Sequence, residues 1–322
     1  MKISIVVCTY NGMSYLEEQL DSLRLQTRKP DEVLVSDDNS DDGTVEYVKS
    51  YINKYNLDNW LIRVNKPNLG WRKNFMKVIH DSNGDIVFTC DQDDIWDENK
   101  IKYMSEIMEN HSEINMLTSS FFELYSDNSI KEIKYFESEE MLIKVSLPTN
   151  LLNCPFPGCV QCIRKSFYNK YIKYWLDTCP HDAFFWRTAI LDGSAYICNR
   201  PLIKWRKHEN SAFQIELSGL TKKSELFWRE QERKELIQLI EFVDKENLQS
   251  KKLKIDLLQY NLNWVNDREM ACKKPSVANL AKLMFKYRNL YPKTKSVIKD
   301  WYIYMFKQLP VIYKQEDREV KK

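Results

Sequence analysis

The N-terminal third of the chain alternates between two periodicities. Ile3–Cys8 is a short apolar run rich in β-branched residues. The polar Thr9-Tyr10-Asn11-Gly12 follows, and then Leu16, Leu20 and Leu23 recur at helical spacing behind Ser14 and Glu17, which are spaced as a capping box. The same sequence of strand, polar loop and helix returns at Glu32–Ser36, Asp37–Gly43 and Thr44–Tyr55, where Val45, Val48 and Ile52 mark one helical face. Trp60–Val64 then predicts a third strand, Asn68–Ile79 a third helix and Ile86–Cys90 a fourth strand. Strands that alternate with helices imply a mostly parallel sheet covered on both faces, the doubly wound α/β class, in which ligands sit beyond the carboxyl ends of the strands. The polar clusters after Cys8, Ser36 and Cys90 all fall at such ends.

Between about residues 115 and 205 the pattern is less regular and predicts mixed α+β structure. A strand is expected at Asn115–Phe122, an acidic excursion around Glu137–Glu140 and a turn at Pro155-Phe156-Pro157-Gly158. Beyond Asn210 the chain reads as helical, with Leu236, Leu239, Ile240 and Val243 on one apolar face and Leu280, Leu283 and Met284 on another. The expected division is a catalytic α/β domain over 1–215, with a ligand-binding half to about residue 100 and a second half over 101–215, followed by a helical region over 216–322.

Composition refines this picture. A chain of 322 residues with 43% hydrophobic side chains can bury a substantial core. Net charge is only +2, yet residues 273–322 hold 13 basic against 4 acidic side chains, interleaved with Trp301, Tyr302, Tyr304, Phe306 and Tyr313. Such a tail favours an anionic partner, and its aromatics suit a membrane surface better than nucleic acid, for which no recognition motif is present. No apolar run of about 18 residues occurs, and the apolar start is too short for a signal peptide. A cytoplasmic protein is expected, and its tail reads equally as a peripheral contact with the inner face of the membrane or as a solvated helical face whose aromatics pack on the first domain. Cys154, Cys159, Cys162, Cys179 and His181 contain a single CxxC without the second paired element that zinc-ligand spacing needs, so the eight cysteines read as reduced thiols.

The chemistry concentrates in Asp91-Gln92-Asp93-Asp94, directly after the fourth strand. Three carboxylates at the mouth of a parallel sheet repel one another unless a cation sits among them, and a hard divalent ion such as Mg²⁺ or Mn²⁺ takes carboxylate oxygens together with substrate phosphate oxygens. Alone, the motif reads equally well as a solvated acidic turn, and Asp37–Ser40 as an Asx-rich helix cap. Three such loops in register favour a nucleotide site, in which carboxylates and amides meet a nucleoside and Tyr10 meets its base.

Taken together, Ile5–Asn11, Val35–Thr44, Asn68-Leu69-Gly70 with Asn74, and Asp91–Asp94 resemble the family 2 glycosyltransferases of the GT-A fold over about the first two hundred residues. The resemblance implies donor contacts from Thr9, Tyr10, Asn11, Asp37 and Asp38, a base-proximal segment at Asn68, Gly70 and Asn74, Asp91 near the ribose, and Asp93 with Asp94 on the metal. In Pro180-His181-Asp182 it implies that Asp182 is the catalytic base. In Trp205–Asn210 it implies that His208 approaches the metal or diphosphate and that Arg206 offsets phosphate charge. The stretch Asp91–Trp96 is similar to that of bacterial rhamnosyltransferases of surface polysaccharide assembly. The activity so implied is inverting, metal-dependent transfer of a sugar, rhamnose among the candidates, from a UDP- or dTDP-linked donor to a glycan or lipid-linked acceptor. Two rivals stand beside it. A sugar nucleotidyltransferase would want a Gly-rich loop and a Lys that Thr9-Tyr10-Asn11-Gly12 lacks, and a non-catalytic carbohydrate- or membrane-surface binding protein could keep the same fold.

Overall fold

The computed structural model describes residues 1–133, 140–208, 221–291 and 294–305. The chain divides into two compact units, Met1–His208 with Phe242–Lys251, and Glu209–Glu241 with Lys252–Lys322. The first unit opens with β1 (Ile3–Thr9), α1 (Leu16–Arg24), β2 (Glu32–Asp37), α2 (Thr44–Tyr55), β3 (Trp60–Val64), α3 (Trp71–Asp81) and β4 (Ile86–Cys90). These strands pair in parallel in the order β3-β2-β1-β4. Ile3, Ile5, Val6 and Val7 of β1 are all fully buried, as are Ile86, Val87 and Phe88 of β4. Burial on both faces is why these strands read as unbroken apolar runs and not as alternation.

Two helix starts differ from expectation. Helix α3 begins at Trp71, not Asn68, because Gly70 lies at φ 80°, ψ 146°, outside the helical region. The Ser14–Glu17 capping box does not form: Tyr15 is the cap residue and no side chain caps it. The preceding loop is instead fastened sideways, with the N–H of Gly12 donating to Thr44 Oγ1 at 2.9 Å and that of Met13 to Asp42 Oδ2 at 3.1 Å.

The sheet continues with β5 (Ile95–Trp96), α4 (Lys100–Asn110), β6 (Met116–Leu124), β7 (Ile130–Ile133), β8 (Leu142–Lys144), β9 (Gln161–Arg164), α5 (Lys165–Tyr171), α6 (His181–Asp192) and β10 (Ala195–Arg206). Strand β9 lies antiparallel between β4 and β6, and β10 runs parallel to β6 and antiparallel to β5, which makes the second half of the sheet mixed. The register of β10 against β6 shifts on either side of Pro201, where a ladder N–H is missing. Past that irregularity Ile203 and Lys204 pair with Trp96 and Ile95, which carries Arg206 and His208 to the loop after β4. Of the expected acidic excursion, Glu137 and Glu139 lie outside the described residues.

The helices α7 (Lys222–Lys245), α8 (Lys251–Lys273), α9 (Val277–Lys286) and α10 (Thr294–Met305) follow. Phe242, in the last turns of α7 that belong to the first unit, packs edge-on against Tyr171 and Tyr174 of that same unit. In the second unit Arg268 makes two hydrogen bonds to Asp300, at 2.7 and 2.8 Å, and Tyr291 adds a third at 2.9 Å, so this buried pair is well satisfied. Met284 was expected inside with Leu280 and Leu283; the two leucines are buried but Met284 is exposed. Tyr304 is buried, Trp301 and Tyr302 are exposed, and Phe306 and Tyr313 lie outside the described residues.

The turn before β4 is packed directly onto β1. The N–H of Gly84 donates to Ser4 Oγ at 2.7 Å, and a Cβ on Gly84 would stand 2.5 Å from the backbone nitrogen of Ser4. Gly84→Ala is therefore expected to lower unfolding stability by about 1–3 kcal/mol, read as a reduced urea midpoint; an unchanged midpoint would show that this turn does not bear on β1.

Candidate active site

The register of the parallel strands brings Thr9, Asp37 and Val64 level at one edge, with Cys90 ending β4 beside them. Here β1 sits between β2 and β4, the place where chain connections leave in opposite directions and a crevice opens. Asp37 is fully buried and accepts from Thr9 Oγ1 at 2.8 Å and from the Ser40 N–H at 2.8 Å, tying the first loop to the second. Asn11, at φ 48°, donates its N–H to Ser40 Oγ at 2.9 Å and accepts from the Asp41 N–H at 3.0 Å. Tyr10 stands exposed at the lip, its backbone N–H and C=O both bonded to the Gln92 amide.

Asp38, also buried, faces the third loop. Its Oδ1 accepts from the Leu69 N–H at 2.8 Å and its Oδ2 from the Gly70 N–H at 2.8 Å, while its carbonyl accepts from Asn68 Nδ2 at 2.7 Å. Gly70 supplies the positive φ this approach needs. Asn74 lies behind the clamp, 1% exposed, accepting from Ser36 Oγ at 2.6 Å and Asn65 Nδ2 at 2.8 Å and donating to the Ser36 carbonyl at 2.9 Å. Asn74 and Asp37 thus hold the loops in place from within the protein, whereas Tyr10, Asn11, Asn68 and Gly70 are expected donor contacts that reach the surface.

Asp91-Gln92-Asp93-Asp94 is split by its surroundings. Asp93 Oδ2 and His208 Nε2 are 2.8 Å apart, so this expected pair is assembled, and the His208 ring lies against Tyr15. Asp94 goes elsewhere. It is fully buried, its N–H donates to Gln19 Oε1 at 3.0 Å, its Oδ1 accepts from the Arg206 N–H at 2.9 Å, and its Oδ2 is buried without a partner. Arg206, expected near phosphate, is engaged in holding this loop: Nε donates to the Asp93 carbonyl at 2.8 Å, the guanidinium pairs with Glu18, and its plane covers Tyr15.

Beneath the loop the expected Asp91 and Asp94 are joined by two residues that the sequence did not assign to the site, Cys159 and Lys100. One ligand atom from each of Asp91, Asp94 and Cys159 lies within 4.8 Å of the others. Burial and mutual repulsion push Asp91 well above the carboxylate range and Asp94 up to about 7. The buried Lys100 donates to the Cys159 carbonyl and sits 3.5 Å over the Trp96 ring, its own pKa brought down to about 8 by burial. Burial also drives the Cys159 thiol well up, so it stays protonated and offers the carboxylates a weak hydrogen-bond donor, not a thiolate. The donor set open to a cation is therefore carboxylate oxygen plus imidazole nitrogen. The orphaned Asp94 oxygen and the repulsion between Asp91 and Asp94 are what a hard divalent ion would relieve.

Asp182, in the first turn of α6, is brought to the same edge by Gly158. A Cβ on Gly158 would lie 3.6 Å from Asp182 Cβ and 2.5 Å from His181 Nε2, so the missing side chain is what lets α6 approach, and the Gly158 carbonyl accepts from Thr89 Oγ1 of β4 at 2.6 Å. Burial raises the Asp182 pKa against the opposing pull of the Ala183 N–H and Arg187. His181 stacks on Phe75 with ring centres 4.0 Å apart, and neither of its buried nitrogens has a hydrogen-bond partner. Burial holds its pKa down to about 3. The unfolded chain therefore takes up a proton near pH 6.5 that the folded chain refuses, and stability is lost as pH falls from there toward 3. Replacing His181 by Phe is expected to remove about 1–2 kcal/mol of the stability difference between pH 7 and pH 5, measured by urea unfolding at both values; an identical acid loss in wild type and variant would place the responsible group elsewhere.

Residues 4–171 match the family model described as Glycosyl transferase family 2. The chain is 31% identical over 229 residues to the dTDP-rhamnosyl transferase RfbG of Shigella flexneri, covering 66% of this chain and 75% of that one. Among solved structures it is similar to S. aureus TarS in complex with UDP, with a TM-score of 0.60 at 17% identity over 90% of this chain and 80% of the other. It is also similar to the Pyrobaculum calidifontis mannosyltransferase PcManGT in complex with GDP-Man and Mn²⁺, with a TM-score of 0.50 at 14% identity over 94% and 84%. At those identities the two structures speak for the fold, which is the expected GT-A arrangement followed by a helical C-terminal region. The match across residues 4–171, made on the strands and loops that build this edge, assigns the function class: the chain belongs to glycosyl transferase family 2.

Proposed function

We propose that the chain transfers a sugar from a nucleoside diphosphate donor to a hydroxyl of a glycan or lipid-linked glycan, with inversion at the anomeric carbon. The observation that carries the reading is the position of Asp182, across Gly158, at the edge where Asp91 and Asp93 follow the fourth strand. Asp182 is the base in this scheme. It takes the proton of the acceptor hydroxyl, whose oxygen forms a bond to the anomeric carbon as the bond from that carbon to the diphosphate oxygen breaks, and the electron pair leaves with the diphosphate. The raised pKa of Asp182 suits it to accept a proton at neutral pH.

The remaining side chains bind and orient. Tyr10 offers an exposed ring to the base, Asn68 and the Asp38 clamp shape the nucleoside end, and Thr9, Asn11 and Asp37 keep the first two loops in register. Asp93, Asp94 and His208 are the residues that would hold a divalent ion, Mn²⁺ or Mg²⁺, with Asp91 beside them. Such an ion supplies positive charge for the diphosphate. The name of the Shigella relative supports dTDP-linked rhamnose as donor, the TarS complex with UDP keeps a UDP-linked sugar beside it, and surface polysaccharide as the product is what the resemblance of Asp91–Trp96 implies.

Two experiments test this. Asp182→Asn keeps the shape and removes the base, so turnover is expected to fall by about 10²–10⁴-fold with donor affinity within about twofold of wild type. An equal loss of donor binding would make Asp182 structural, and near-normal turnover would move the base to another residue. Activity should also vanish in chelator and return with Mn²⁺ or Mg²⁺, and Asp93→Asn should weaken the metal-dependent part of donor binding, read by calorimetry with and without the ion. Full turnover in chelator would remove the ion from the scheme.

A further inference from the structure

The second unit carries a helix with two apolar faces. On α9, Leu280 and Leu283 are buried, as is Tyr287 just beyond its end. On the other side Val277 is 71% exposed, Met284 48% and Phe285 83%. Positions 277, 284 and 285, with the alanines at 278 and 281, fall on one helical stripe, so the exposed apolar surface is continuous and not scattered.

Charge indicates what covers it. Residues 273–291 contain five basic side chains and no acidic one. Lys273 and Lys282 are partnered by Glu269 and Asp267 of α8, and Lys286 stands over the Tyr287 ring on the side away from the stripe, while Lys274 and Arg288 are exposed just beyond the two ends of α9. On α10, Ile298 is 60% exposed, Trp301 40% and Tyr302 44%, which adds interfacial aromatics to the same unit. Among the described residues no helix is long and apolar enough to cross a membrane. An apolar stripe bordered by cations and accompanied by Trp and Tyr matches a surface that is apolar beneath and anionic above, which is the headgroup region of a bilayer; nucleic acid would leave Phe285 in water.

We propose that α9 is an in-plane anchor that seats Val277, Met284 and Phe285 in an anionic bilayer surface, with Lys274 and Arg288 on the headgroups. Attachment of this kind is independent of sugar transfer and is read without it. The full chain is mixed with vesicles of equal parts phosphatidylglycerol and phosphatidylcholine, or of phosphatidylcholine alone, and sedimented at low and high salt. Binding is expected only with phosphatidylglycerol and should weaken as salt screens the attraction. Phe285→Ser, at a position too exposed to unfold the chain, should lower partition by roughly tenfold or more. Joint replacement of Lys274 and Arg288 by Gln should cost roughly fivefold per charge at low salt, with circular dichroism of every variant unchanged. The proposal is overturned if the intact chain ignores phosphatidylglycerol vesicles at low salt, or if Phe285→Ser binds them as well as wild type. It is equally overturned if Phe285→Ser leaves vesicle binding intact and instead turns a solution dimer into monomers, since the stripe would then meet a second copy of the chain.

Discussion

Buried carboxylates at the ends of parallel strands are the constraint around which this structure is arranged. Asp37, Asp38 and Asp94 are all almost completely buried, where an unpaired charge costs several kcal/mol. The protein answers that cost in two ways. Asp37 and Asp38 are saturated from within, by Thr9, Ser40 and the N–H groups of Leu69 and Gly70. The result is three loops locked to one another before any ligand arrives. Asp94 keeps one oxygen unpaired beside Asp91, with Lys100 and the Cys159 thiol as neighbours. The first arrangement gives rigidity, and the second leaves an electrostatic demand directed at the crevice.

The second half of the sheet exists, in functional terms, to complete that crevice. The shift in register around Pro201 aims the end of β10 at the loop after β4, so that Arg206 braces Asp93 and Asp94 while His208 meets Asp93. Strand β9 and the turn at Gly158 bring α6 in on the other flank, and the aromatic bed of Phe75, Trp71 and Phe185 around His181 fixes where Asp182 begins the helix. The candidate donor contacts thus come from the parallel half and the proposed base and metal-holding groups from both halves, held on strands and helix ends whose positions are set by packing.

Periodicity alone determined the alternation of strands and helices up to β4, and with it the parallel block and the polar loops at its carboxyl edge, because these depend only on which local positions are apolar. The resemblance to family 2 glycosyltransferases, and not any local spacing, is what named Asp93 and His208 together and pointed to Asp182. What only the tertiary structure decided is which way each polar side chain turns. Asn74 and Asp37 face inward, Arg206 braces a loop, and Asp94 parts from its neighbour Asp93, all because of donors that sit far away in sequence. Cys159, Lys100 and Gly158 carry no local mark of their part in the site, since their roles come from a strand inserted antiparallel between β4 and β6. Met284 shows the same limit from the apolar side. Its spacing is that of a core residue, but a helix has room for two apolar faces, and only the packing of its neighbours determines which of them is buried.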